Sequence, residues 1–147
     1  MWPFKRKEWE KLGAPMDSAL LERILSNWLA PAAIYTRDRA YRAIPCADFE
    51  NLMFDCWFPL DEPDYKAEIF DCDDWTVCCM AAVKTRWAEV SRGTEALAFG
   101  YIEALLPSGV RHAFIWHVSP NGTIAFYEPQ TGKRRSDNPA PVYLVET

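Results

Sequence analysis

Long hydrophobic runs are missing from this chain: no stretch approaches the ~20 apolar residues that a membrane-spanning helix needs, so nothing in the sequence is expected to cross a bilayer. No secretory leader is expected either. The opening Met1-Trp2-Pro3-Phe4-Lys5-Arg6-Lys7 has basic residues but lacks the following apolar stretch of about 7 to 15 residues that a leader requires. The five cysteines, Cys46, Cys56, Cys72, Cys78 and Cys79, are odd in number and contain no CxxC pair, which argues against a disulfide framework. No His stands at zinc-finger spacing, and the adjacent Cys78 and Cys79 would point about 100° apart on a helix, so structural zinc is poorly supported. A cytoplasmic, reducing setting is the expectation, and there a free thiol survives. Basic residues do not dominate either. The formal net charge is −5, which argues against a general nucleic-acid binder. Lys5-Arg6-Lys7 and Lys133-Arg134-Arg135 are short clusters that read as solvated ends or turns.

What is present is a globular composition. Of 147 residues, 50% are hydrophobic, 14% aromatic and 25% charged, with seven Trp; this suits one domain with one core, a helical N-terminal part over 1–65 and a core over 66–147. Asp17 or Ser18 caps a helix running through Leu29, with Leu20, Leu21, Ile24, Leu25, Trp28 and Leu29 on one face, and Pro31 ends it. Ala32 to Ile44 reads as a connection. Cys46 to Trp57 carries Phe49, Leu52, Met53 and Cys56 at helical spacing, and Pro59 to Tyr65 reads as a loop. From Thr76 to Arg92 there is neither Gly nor Pro, and Gly93 follows as a stop signal, which predicts a long central helix. Its first turn would hold Asp73 and Asp74, with Asp71 or Cys72 at the cap.

Beyond Gly93 the period changes to two. Thr94 to Leu106, interrupted at Gly100 by a bulge or close backbone approach, Val110 to Ser119, Thr123 to Glu128 and Val142 to Glu146 are the expected strands. Helices first and strands afterwards, with a helix packed on an antiparallel sheet, predict an α+β fold.

Two features carry chemistry. Cys72 would lie at the positive end of the central helix, where a thiolate is favoured, while Asp71, Asp73 and Asp74 oppose it by like-charge repulsion unless a cation neutralises them. The second is the hairpin at Pro120-Asn121-Gly122. Pro suits a type I turn and Gly the left-handed residue after it, giving a three-residue loop that pairs Ser119 with Thr123. Opposed residues then place His112 opposite Gln130 and Phe114 opposite Glu128, with His112 and Glu128 as diagonal neighbours on one face. A two-residue Asn-Gly turn would instead put His117 on the Glu128 face, so His117 stands as the fallback imidazole. Cys72, His112 and Glu128 are the parts of a nucleophile, proton carrier and orienting carboxylate.

Asp71-Cys72-Asp73-Asp74, Arg111-His112-Ala113-Phe114 and Tyr127-Glu128-Pro129-Gln130-Thr131-Gly132 together resemble the calcium-dependent papain-like peptidase domain at the C-terminal end of the fairy-ring mushroom agglutinin, with small bacterial and phage relatives. The likeness covers about residues 66 to 132, and a looser similarity to transglutaminase-like hydrolases points to the same papain-like architecture. The resemblance implies a cysteine hydrolase acting on a peptide or protein, with Cys72, His112 and Glu128 as catalytic triad. It also implies Ca2+ held by Asp73, Asp74 and Gln130. Oxygen donors of that kind suit a hard cation, and binding would cancel the repulsion around Cys72. The agglutinin's lectin domain has no counterpart here, so its carbohydrate binding is not implied. The competing reading is a catalytically silent papain-like binding or structural module, with Trp57, Trp75, Trp116 and Phe114 as aromatic surface.

Overall fold

The structure is a computed structural model, and it describes residues 13–30, 33–57, 71–137 and 142–147. The expected loop over Pro59 to Tyr65, the basic cluster Lys5-Arg6-Lys7 and the side chain of Trp57 lie outside the described residues.

Strand β1 (Ala14–Asp17) runs directly into α1 (Ser18–Leu29). Asp17 is the cap, its carboxylate accepting the Leu20 N–H at 2.7 Å, which satisfies one of the donors a helix start leaves free. Next come β2 (Ala33–Tyr35) and β3 (Ala40–Ala43), within the segment expected to be a plain connection. These strands are three and four residues long, too short for a period-two pattern to register, and they exist through distant partners: β3 pairs with β1, and β2 with the last strand of the chain. Helix α2 (Cys46–Trp57) has the expected bounds and buries Phe49, Leu52 and Met53. The central helix α3 (Cys72–Ser91) ends in left-handed Arg92 and Gly93, at φ 58° and 68°.

The remaining strands are β4 (Ala96–Leu97), β5 (Phe99–Leu105), β6 (Arg111–Val118), β7 (Ile124–Tyr127) and β8 (Val142–Glu146). They form a three-stranded sheet, β1-β3-β4, and a five-stranded sheet, β2-β8-β5-β6-β7. The fold is α+β, but strands begin at residue 14 rather than after the helices, and the larger sheet is mixed, since β2 joins β8 in parallel. The first expected strand breaks at Ala98, not Gly100: Ala98 donates to Arg42 O and accepts from Val118 N, both at 2.9 Å, so it links the two sheets. Gly100 is the expected close backbone approach rather than a bulge, since a Cβ there would overlap the Glu146 carbonyl.

Helices α2 and α3 cover one face of the large sheet and α1 the other. One cluster joins Phe49, Leu52, Val83 and Trp87 to Ile115 and Tyr127; a second joins Leu21 and Leu25 to Phe114, Trp116 and Phe126. Trp75, Trp116 and Phe114 are therefore core residues, 5%, 0% and 0% exposed, not a binding surface. His117 is fully buried as well, stacked on Phe49 with ring centroids 4.2 Å apart.

Burial, with the charge of Arg134 adding to it, pushes the His117 imidazole down from 6.5 to about 3. The unfolded chain then binds a proton that the folded chain refuses between those two values, so this residue lowers stability as pH falls below 6.5. Replacing His117 by Phe is expected to remove a loss on the order of 3 kcal/mol between neutral pH and about pH 4, measured by urea unfolding at each pH. An unchanged acid sensitivity would contradict the assignment.

Candidate functional site

Cys72 is the first residue of α3, as the cap pattern predicts. Asp71 is the N-cap, and the Asp74 carboxylate reaches back to accept its N–H at 3.3 Å. The Ala113 N–H on β6 bonds to the thiol and favours the thiolate, but burial, then the carboxylates of Asp71 and Asp73, outweigh it and push the thiol up. The helix-end effect expected to favour the thiolate therefore does not win in the resting site. Asp71 and Asp73 hydrogen-bond to each other, which raises the carboxyl of Asp71 and lowers that of Asp73.

The β6–β7 register follows the three-residue turn. Ser119 N donates to Thr123 O at 3.0 Å and Gly122 N to Ser119 O at 2.9 Å, and the pairs Ile115↔Tyr127, Trp116↔Phe126 and Val118↔Ile124 are those this loop length dictates. The ladder ends there, so Gln130 lies in the turn beyond β7 rather than opposite His112. The diagonal pair forms: His112 Nε2 lies 3.0 and 3.2 Å from the two Glu128 oxygens, with side chains only 16% and 19% exposed. His117 is excluded from this role by its burial.

Sequence reasoning missed two residues here. Arg135 closes a cluster read as a solvated turn and Asp137 follows it, yet the chain folds back after β7, with Gly132 N donating to Glu128 O, Glu128 N to Lys133 O and Arg135 N to Phe126 O. Gly132 adopts φ 65° to make that reversal. Arg135 thereby reaches Glu128 at 2.9 Å and Asp137 at 2.7 and 2.9 Å. Burial alone would raise the Glu128 carboxyl, but its bonds to His112 and Arg135 hold it below the usual range. The signal available was an acid two residues after an arginine.

Cys72, Asp73, Glu103, Arg111, His112 and Ala113 line one cleft of about 250 Å³. Arg111 pairs with Glu103 across it and lies 5.1 Å from the Tyr143 ring centroid. The ligand atoms of Asp71, Cys72 and Asp73 lie within 4.8 Å of one another. Of the expected ligands Asp73, Asp74 and Gln130, Asp73 belongs to this group, while the Asp74 carboxylate accepts the Asp71 N–H at the helix cap. Two adjacent carboxylates suit a hard cation, whereas the sulfur does not.

No family model and no curated protein matches the chain. Solved structures do. PSL1a in complex with E64 superposes with a TM-score of 0.71 at 23% identity, over 90% of this chain and 51% of that one. Polyporus squamosus lectin bound to Neu5Aca2-6Galb1-4GlcNAc superposes at 0.65 with 25% identity, over 82% of this chain and 45% of that one. The chain thus spans about half the length of the structures it matches. These findings correct the kinship drawn from the three short motifs. The match, spanning nearly the whole chain rather than residues 66–132, is to a lectin and not to a peptidase, and the cysteine hydrolase and the bacterial or phage setting implied by the motifs are withdrawn. Motifs of four to six residues at a helix cap, a strand start and a turn are shaped by local geometry, which makes them weak guides to activity. Among the described residues no helix is long and apolar enough to cross a membrane.

Because the Asp73 charge adds to burial and to Asp71 in holding the thiol up, Asp73→Asn is expected to speed alkylation of Cys72 by iodoacetamide about twofold to fivefold at mildly alkaline pH. Peptide mass spectrometry over all five cysteines reads the rate. A slower or unchanged Cys72 would refute the electrostatic account.

Proposed function

We propose that the chain is a ligand-binding module whose site is the cleft between the start of α3 and the start of β6. One observation carries this reading: the thiol of Cys72 at the head of α3, and an imidazole held by a carboxylate, open into the same cleft of about 250 Å³. In it Cys72 is the reactive contact, His112 donates or accepts a proton, Glu128 orients His112, and Arg111 with Glu103 forms a charged rim. The volume suits a small polar ligand or one end of a longer one. The layout, a thiol at the head of a central helix facing an imidazole on the adjoining strand, is papain-like as an architecture. All five thiols are free, which supports a reducing compartment such as the cytoplasm.

The matched proteins supply the probes. PSL1a was solved with E64, and this chain is expected to take E64 at the cleft, shifting the amide signals of Cys72, Ala113 and His112 in an NMR titration. Cys72→Ser combined with His112→Ala should abolish those shifts while leaving the rest of the spectrum in place. Shifts confined to another surface, or none, would overturn the reading. A sialylated glycan is a second reading, favoured by the lectin match; the same titration with Neu5Aca2-6Galb1-4GlcNAc tests it, and absence of shifts rejects it.

We also propose that Ca2+ modulates the site through Asp71 and Asp73, water supplying the remaining ligands such a cation takes. Binding there would neutralise the carboxylate charge that adds to burial in holding the Cys72 thiol up. Millimolar Ca2+ is expected to accelerate alkylation of Cys72 at neutral pH and to leave Cys46 and Cys56 unaffected. Equal rates with Ca2+ and with a chelator would dismiss the cation.

A further inference from the structure

We infer that Arg135, clamped by Asp137, is a positioning residue: it aims Glu128 at His112 Nε2 and so fixes Nδ1 as the imidazole nitrogen that serves the cleft. The inference deepens the binding reading above, taking the Cys72 cleft as the site. It stands on the geometry of five side chains.

Glu128 sits just past the end of β7, where a lone carboxylate could choose among several rotamers. One of its oxygens takes both His112 Nε2, at 3.0 Å, and Arg135 Nη1, at 2.9 Å. Arg135 is itself held on its other side, because its Nε and Nη2 go to the two oxygens of Asp137 at 2.9 and 2.7 Å. That is the bidentate geometry in which a guanidinium is most firmly oriented. Its carbon lies 5.3 Å from the centroid of Phe114, and Phe114 is fully buried, packed edge-on against Phe126. The guanidinium is thus fixed by a carboxylate at each end and a rigid ring beneath it.

The consequence falls on His112. A carboxylate held against Nε2 selects the tautomer with its proton there, and Nδ1 has no hydrogen-bond partner among the described residues. That nitrogen is left to exchange a proton with Cys72 or with a ligand in the cleft they share. Charge balance supports the same role. Arg135 offsets Asp137 and leaves Glu128 as the carboxylate that answers the imidazole.

The test uses the full chain and compares wild type with R135Q, R135K and D137N. Long-range ¹H–¹⁵N correlations of the His112 ring report which nitrogen carries the proton, iodoacetamide alkylation of Cys72 reports the outcome, and the buried His117 ring serves as an internal control for folding. Wild type is expected to show the Nε2–H tautomer. R135Q should lose that preference and slow alkylation about tenfold, comparable to the lower end of what losing an orienting partner costs a metal-bound histidine. R135K keeps the charge and can still reach Glu128, so it should recover most of the rate, while D137N should fall between. If R135Q and D137N leave both the ring signals and the rate unchanged with His117 undisturbed, Arg135 has no positioning role. Should R135Q not fold, D137N and R135K decide by the same two readouts. Failure of the cleft to bind E64 would remove the binding reading without touching the tautomer result, so the two claims fail separately.

Discussion

A strand buried on both faces admits no charge, and β6 is such a strand. From Ala113 to Val118 every residue is buried, so ionisable groups that must exchange protons with a ligand can stand only where burial begins, at Arg111 and His112. The position of the site follows from this limit. α3 packs on β6 and brings Cys72 to that strand end, and the chain beyond β7 folds back to deliver Glu128, Arg135 and Asp137 to the same place. His117 shows the alternative, an imidazole held in the strand's interior and kept neutral by its surroundings.

Much of this could be read from residues because the signals were local. The Asp17 cap, the twelve residues of α2, the Gly93 stop and the Pro120-Asn121-Gly122 turn depend on backbone preferences within a few positions, and the turn alone was enough to choose His112 over His117. The strands β1, β2 and β3 were not legible, since each is too short to show a period and owes its form to partners far along the chain. Arg135 escaped for a related reason. In the sequence it is the third of three basic residues in a turn, and only the reversal after Glu128 converts it into the neighbour of a carboxylate and an aromatic ring.

The motif resemblance and the structural matches divide along the same line. Cys72, His112 and Glu128 come together as the residue pattern proposed, but coming together does not name a reaction. A thiol held up by burial and two carboxylates, in a cleft of modest volume, describes a contact that a ligand or cation has to complete. What the superpositions add is fold and probes: 90% of the chain follows PSL1a, and the activity withdrawn there had rested on three short segments.

The loop of Pro120, Asn121 and Gly122 also behaves as a frame-setting device. Side chains on a strand alternate between faces, so removal of one residue there would shift β7 by half a repeat against β6 and exchange the surroundings of Glu128: it would face toward His117 instead of His112. Its length is therefore constrained as tightly as any position in the core, although the loop itself is exposed at its tip. Diversification of this protein should tolerate changes of residue in the loop far more readily than changes in its number of residues.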